Sequence, residues 1–166
     1  MRNPSDDAGE VLGSLFRRHH LHLVRTALLI VGDRATAEDV VQEAFARVHR
    51  RLPELSDRDD LLPYLRTAVV NGCRSVLRRR RLRLRPAHDP SVWSAEAAAI
   101  VAEEHREVHA ALSGLPARQR EALVLRYYLD LTEAEIAEAM GISAGTVKST
   151  TSRALAALAR TLGGKA

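Results

Sequence analysis

Thr146, Lys148, Ser149, Thr150 and Arg153 lie close together in the stretch GISAGTVKSTTSRAL, residues 141–155. Hydroxyls, one ammonium and one guanidinium fork are groups that hydrogen-bond phosphates and base edges, and an arginine can grip a guanine with two bonds. At helical spacing the set falls on the outer face of a helix whose inner face begins at Val147. No Asp or Glu occurs between Ala144 and Arg160 to repel a polyanion. The chemistry open to such a face is recognition of DNA rather than the making of bonds.

Two further sets stand out in the first half of the chain. Asn71, Arg74, Arg78 and Arg79 lie on a segment that ends in RRRRLRLR, residues 78–85, six arginines in eight positions. A basic helix end suits the helix dipole, but six guanidinium groups exceed that need and favour phosphate contacts. Asp39, Gln42 and Glu43 form the opposite kind of strip, an acidic-polar face on a basic chain. The net charge of +4 and pI near 9.8 agree with a polyanionic partner.

Other chemistries lack their residues. Cys73 is the single cysteine, which excludes an internal disulfide or a cysteine-based zinc site. HREVH, residues 105–109, has His105 and His109 at i and i+4, but its glutamate, Glu107, does not directly follow the first histidine. His19, His20 and His22 have no carboxylate cluster beside them in sequence, and no phosphate-cradling glycine loop occurs. The chain is read as neither an enzyme nor a cofactor binder. With no apolar signal core and no apolar run of membrane-spanning length, it is expected to be cytoplasmic, without membrane insertion.

The elements that must position these groups are helices. Hydrophobic content is 46% but aromatic content only 4%, so the core is built from Leu, Val and Ala, and the expected fold class is all-α. A first helix spans about 10–31, with Gly32 as its left-handed cap. A second starts at Thr36, whose spacing to Asp39 resembles a capping box, and carries Val40, Val41, Ala44, Phe45 and Val48 as an apolar stripe. A polar connection over 53–63 leads to a third helix from about Pro63 into the arginine run. PAHDPSVWSAEAAA, 86–99, reads as a linker. A fourth helix from Ile100 stops at Gly114, Pro116 opens a fifth, Thr132 and Glu135 box the start of a sixth, and Ser143 caps the seventh.

The last two helices have the layout of a helix-turn-helix. Small Ala137 permits a close crossing, Gly141 takes the positive φ of the turn, and Ile136, Met140, Ile142 and Val147 fill the wedge.

Taken together, these segments resemble a bacterial sigma factor of the extracytoplasmic-function (ECF) type, over about residues 13–162. LLIVGDRATAEDVVQEAFARVHR and YLRTAVVNGCRSVLRRRR are similar to sigma domain two, and the stretch from ALSGLPARQREALVL to TVKSTTSRALAAL is similar to sigma domain four. The resemblance implies two small helical domains, 10–85 and 100–162, joined by a flexible linker over 86–99. It implies core RNA polymerase (clamp coiled coil and flap) and promoter DNA as partners, with an anti-sigma factor as a third to look for. Asp39, Gln42 and Glu43 would dock on the clamp. The loop within 52–62 would capture a flipped base of the −10 element, with Asn71, Arg74, Arg78 and Arg79 along the opened strand. Thr146, Lys148, Ser149, Thr150 and Arg153 would read the −35 element. Where many relatives carry Arg-Leu, this chain has Thr150-Thr151, so Thr151 should point partly inward and Thr150 outward without charge. A stand-alone helix-turn-helix regulator is the alternative; it would bind duplex DNA without polymerase.

Overall fold

The computed structural model describes residues 4–54, 61–83, 107–108 and 110–163, with side chains from residue 9 onward. The expected linker over 86–99, the centre of the 52–62 loop, most of the helix from Ile100, and both His105 and His109 lie outside the described residues. Helix α1 is Pro4–Val31, α2 Arg34–Arg51 and α3 Leu62–Arg83, with a 3₁₀ turn Leu52–Glu54 after α2. Then come α4 Ala117–Leu123, which continues as a π-helical turn Val124–Tyr128, α5 Glu133–Met140 and α6 Ala144–Gly163. No strand occurs among the described residues.

The first three helices enclose one core. Leu23, Ala27 and Ile30 of α1 meet Ala37, Val41 and Ala44 of α2 and Leu65, Val69 and Cys73 of α3, all nearly or wholly out of water. Each Leu, Ile or Val among them contributes about 1.5–3 kcal/mol by leaving water. Gly72 brings α3 close against α2: a Cβ there would lie 2.8 Å from Val40 Cγ1. Gly32, at φ 86°, ends α1 as the sequence indicates, its amide bonded to Leu28 O at 2.8 Å.

The start of α2 differs from the expected Thr36 box. Asp33 is the N-cap, accepting from Thr36 N at 2.9 Å. Thr36 Oγ1 is instead taken by Arg80, which also pairs with Asp33 and donates to Val31 O at 2.6 Å. One member of the arginine run is therefore a structural rivet that ties α3 to the α1–α2 corner. Burial pushes the Asp33 carboxyl up, but bonds from Thr36 and the charge of Arg80 outweigh it and hold the group below its usual range.

The second core gathers Ala122, Leu125, Leu129, Ile136, Met140 and Val147, and it also takes in Val70 from α3. In return Val124 enters the first core. The π turn makes this exchange possible: Leu129 N reaches back to Val124 O at 3.2 Å, a five-residue span that rotates Tyr128 towards α1. There Tyr128 stacks on His22 with ring centroids 4.7 Å apart. Asp130, at φ 53°, then turns the chain into α5.

Candidate nucleic-acid interface

Helices α5 and α6 form the expected helix-turn-helix, and its local chemistry follows the sequence closely. Thr132 and Glu135 cap α5 reciprocally, Thr132 N donating to Glu135 Oε2 at 2.8 Å and Glu135 N to Thr132 Oγ1 at 3.3 Å. Gly141 takes φ 62° and Ser143 Oγ accepts from Thr146 N at 3.1 Å, capping α6. Ile136, Met140 and Val147 are wholly buried in the wedge, with Ile142 partly buried against them.

On α6, Thr146, Lys148, Ser149 and Arg153 are exposed, as expected. Thr150 is not: it is only 8% exposed. It follows Val147 by three positions and precedes Ala154 by four, and both of those are fully buried, so the helix phase carries Thr150 inward with them. Thr151 is buried as well, and its Oγ1 finds no hydrogen-bond partner. Ser152, unremarked in the sequence, is exposed beside Arg153. The outer groups are engaged with one another. Arg153 folds back to Ser149, Nε to the carbonyl at 3.2 Å and Nη2 to the hydroxyl at 3.4 Å, and Ser149 Oγ donates to Thr146 O at 3.1 Å. These are weak solvent-side bonds that a phosphate or base edge can replace.

On α3, Asn71, Arg78 and Arg79 are exposed. Arg74 departs from the expected strand-facing position. Its guanidinium donates to Met140 O and, at 3.5 Å, to Ala139 O, and its Nε lies 3.3 Å from Glu121 Oε1. The carbonyls at the end of α5 have no partner within their own helix, so a forked donor from α3 satisfies a local need. Sequence spacing cannot reveal this contact, because it joins residues 65 and 66 positions apart. Between α3 and α4 lies an open cleft of about 490 Å³, with Asn71, Arg74, Arg78, Arg118 and Glu121 among its walls.

The acidic strip on α2 is laid out as expected: Asp39, Gln42 and Glu43 are exposed opposite a complete buried stripe. Glu43 accepts from Arg50 Nη2 at 3.0 Å with Arg47 at 4.0 Å, while Asp39 takes part in no ion pair among the described residues. No group of three or more His, Cys, Asp or Glu among the described residues is arranged to hold a metal. No described helix is long and apolar enough to cross a membrane.

Comparison with known proteins agrees with this layout. Residues 15–83 match the model of sigma-70 region 2 and residues 105–158 that of sigma-70 region 4. The chain is 35% identical over 150 residues to the ECF RNA polymerase sigma factor SigM of Mycobacterium tuberculosis, covering 90% of this chain and 76% of that protein. It is 37% identical over 140 residues to the probable RNA polymerase sigma factor RfaY of Xanthomonas campestris, covering 78% of this chain but only 35% of that longer protein. The sigma factor RpoE of Bartonella quintana, solved in complex with the anti-sigma factor NepR, shares the fold at TM-score 0.65 and 24% identity, over 90% of this chain and 96% of that one. With regions 2 and 4 in order on one helical chain, the protein belongs to the sigma-70 family of RNA polymerase sigma factors, in its ECF branch.

Proposed function

We propose that this protein is a cytoplasmic, dissociable polymerase subunit that recognises −35 and −10 promoter elements and helps to open the DNA. Domain two spans 10–85, the linker 86–99 and domain four 100–162. Asp39, Gln42 and Glu43 dock on the polymerase clamp, and Thr146, Lys148, Ser149 and Arg153 read the −35 duplex. Asn71, Arg78 and Arg79 follow the opened −10 strand. An anti-sigma factor is the further partner to test for.

The observation that carries the reading is the separation of opposite surfaces. An exposed acidic strip on α2 and an exposed acid-free polar face on α6 are held by different cores of one chain. That arrangement suits a two-point grip, one hand on a protein and the other on a polyanion. A regulator that acted alone would need no acidic strip.

The test is reconstitution with core RNA polymerase. The complex should transcribe from a promoter that neither component uses alone. Changing Arg78 and Arg79 to Ala should impair duplex templates and spare templates already mismatched across the −10 region. Equal defects on both templates would assign these arginines to general affinity. Tight duplex binding without polymerase, and no association with it, would favour the stand-alone regulator.

A further inference from the structure

The arginines of α3 are not all turned towards open surface. Arg74, Arg78 and Arg81 follow one another along α3 and line the cleft of about 490 Å³, and Arg118 of α4 lines it from the other side. The one carboxylate among its lining residues is Glu121, which is already paired with Arg74 at 3.3 Å. Arg78, Arg81 and Arg118 take part in no ion pair among the described residues. Three guanidinium groups thus converge on one concave space without a balancing charge, and Asn71 adds a side-chain amide.

We propose that this cleft is a binding site for a compact polyphosphate, either a free pyrophosphate-type anion or the phosphate tail of a nucleotide, whose occupancy blocks access of the promoter strand to Asn71 and Arg78. The competition rests on the functional reading above and names a regulation of that same surface; the site itself does not depend on it. Guanidinium forks bind phosphate oxygens with paired bonds, and a cleft lined by one sign of charge concentrates the opposite ion. A polyphosphate is favoured over a singly charged anion because three unmatched cations face the space from two helices. Size sets the upper limit: about 490 Å³ suits a small ligand and not a duplex. The lining residues include no aromatic ring, so a nucleobase finds no stacking platform and the phosphates must supply the recognition. Arg81 and Arg118 thereby gain a role separate from that of the strand-facing row.

Isothermal titration calorimetry of the full chain at about 0.15 M salt tests the site, with inorganic pyrophosphate in one arm and a nucleoside diphosphate in the other. Equal affinities would show that the free polyphosphate suffices; a tighter nucleotide would assign the site to its phosphate tail. Arg118→Ala and Arg81→Ala should each weaken pyrophosphate binding about tenfold or more, as loss of a charge-assisted bond requires. Both side chains are exposed, so neither change disturbs a core. Arg17→Ala, which removes one exposed charge of α1 outside the cleft, should weaken it by less than about twofold. Pyrophosphate should also displace a single-stranded oligonucleotide of −10-type sequence from wild type but not from Arg118→Ala. Absence of binding by both probes overturns the site, and so does an equal loss in Arg17→Ala and Arg118→Ala. Binding without displacement overturns the competition. Failure of the functional reading would appear separately, as no polymerase-dependent transcription by a wild type that still binds pyrophosphate.

Discussion

Arg74 and Glu121 meet at 3.3 Å with unequal surroundings: the Arg74 side chain is 24% exposed and that of Glu121 only 3%. The contact is an ion pair without an aligned hydrogen bond, since Glu121 Oε1 receives no donor. Burial therefore wins over Arg74, Arg118 and Arg120, and the Glu121 carboxyl is pushed up to about 7 from an ordinary 4.5.

A pH dependence of stability follows. Glu121 holds a proton in the folded chain that it releases when exposed to water, so its contribution is full below 4.5 and is lost as pH rises through about 7. His22 works in the opposite sense. Burial, then the charge of Arg66, lowers its pKa from 6.5, so its contribution is present above 6.5 and is lost in acid. The two trends oppose each other over the weakly acidic range, and Glu121→Gln should remove the loss on raising pH while keeping the loss in acid. Thermal denaturation at steps over about pH 5 to 8 would check this. Identical profiles for the two proteins would remove Glu121 from the account.

Reversing the charge of Asp39 and Glu43 together should weaken association with core polymerase and leave the helical content intact. Both side chains stand outside the apolar stripe of α2. Exposed charges are worth about 0–1 kcal/mol each, so the double change is the fair test. Asp39 should account for more of the loss, because Arg50 and Arg47 already screen Glu43. Affinity equal to wild type in a binding titration would end the docking assignment.

Arg153→Ala and Lys148→Ala should both reduce transcription from a −35-dependent promoter, with different signatures. If Arg153 reads a base edge, its loss costs about 1–3 kcal/mol and relaxes preference at one position. If Lys148 meets phosphate, its loss weakens binding evenly and lowers the salt slope by about one. Thr150→Ala, by contrast, should leave base preference unaltered, because Thr150 is buried. A changed −35 preference in that variant would contradict the inward orientation.

Thr151→Val should raise thermal stability. The hydroxyl oxygen is buried without a partner, and an isosteric methyl removes a desolvation cost of about 1–3 kcal/mol. Calorimetry of the full chain should register a higher Tm, with promoter use unchanged. A lower Tm would mean that the hydroxyl is satisfied in solution.

Sequence and structure agree at most of the local caps. The Gly32 and Gly141 caps, the Thr132–Glu135 box and the Ser143 cap each join residues three to five positions apart, so spacing alone reveals them. At the start of α2, Asp33 and Thr36 each stand three residues before a candidate partner, so spacing offers two caps; the structure uses Asp33, and Arg80, 44 and 47 positions away, bonds both side chains. Thr150 was misplaced because it lies near the border of the apolar face, where the packing of Val147 and Ala154 decides the outcome. The π turn within VLRYY reads as ordinary helix, since its extra residue changes direction and not composition. The contact of Arg74 with α5 is not legible, because nothing in its sequence neighbourhood shows that α5 stands across from it.

Gly72 gives the first three helices a mechanical property. Only a hydrogen separates the α3 backbone from Val40 at that crossing, and Arg80 pins the far end of α3 to the start of α2. Asp39 is the neighbour of Val40, and Asn71 the neighbour of Gly72. The surface assigned to polymerase and the surface assigned to the promoter strand are thus cast on one rigid bracket with two points of attachment. The two surfaces cannot be re-aimed independently: a side chain at position 72 would act as a shim and tilt one against the other. The angle between them depends on the absence of a side chain at position 72, a residue that stands in neither set.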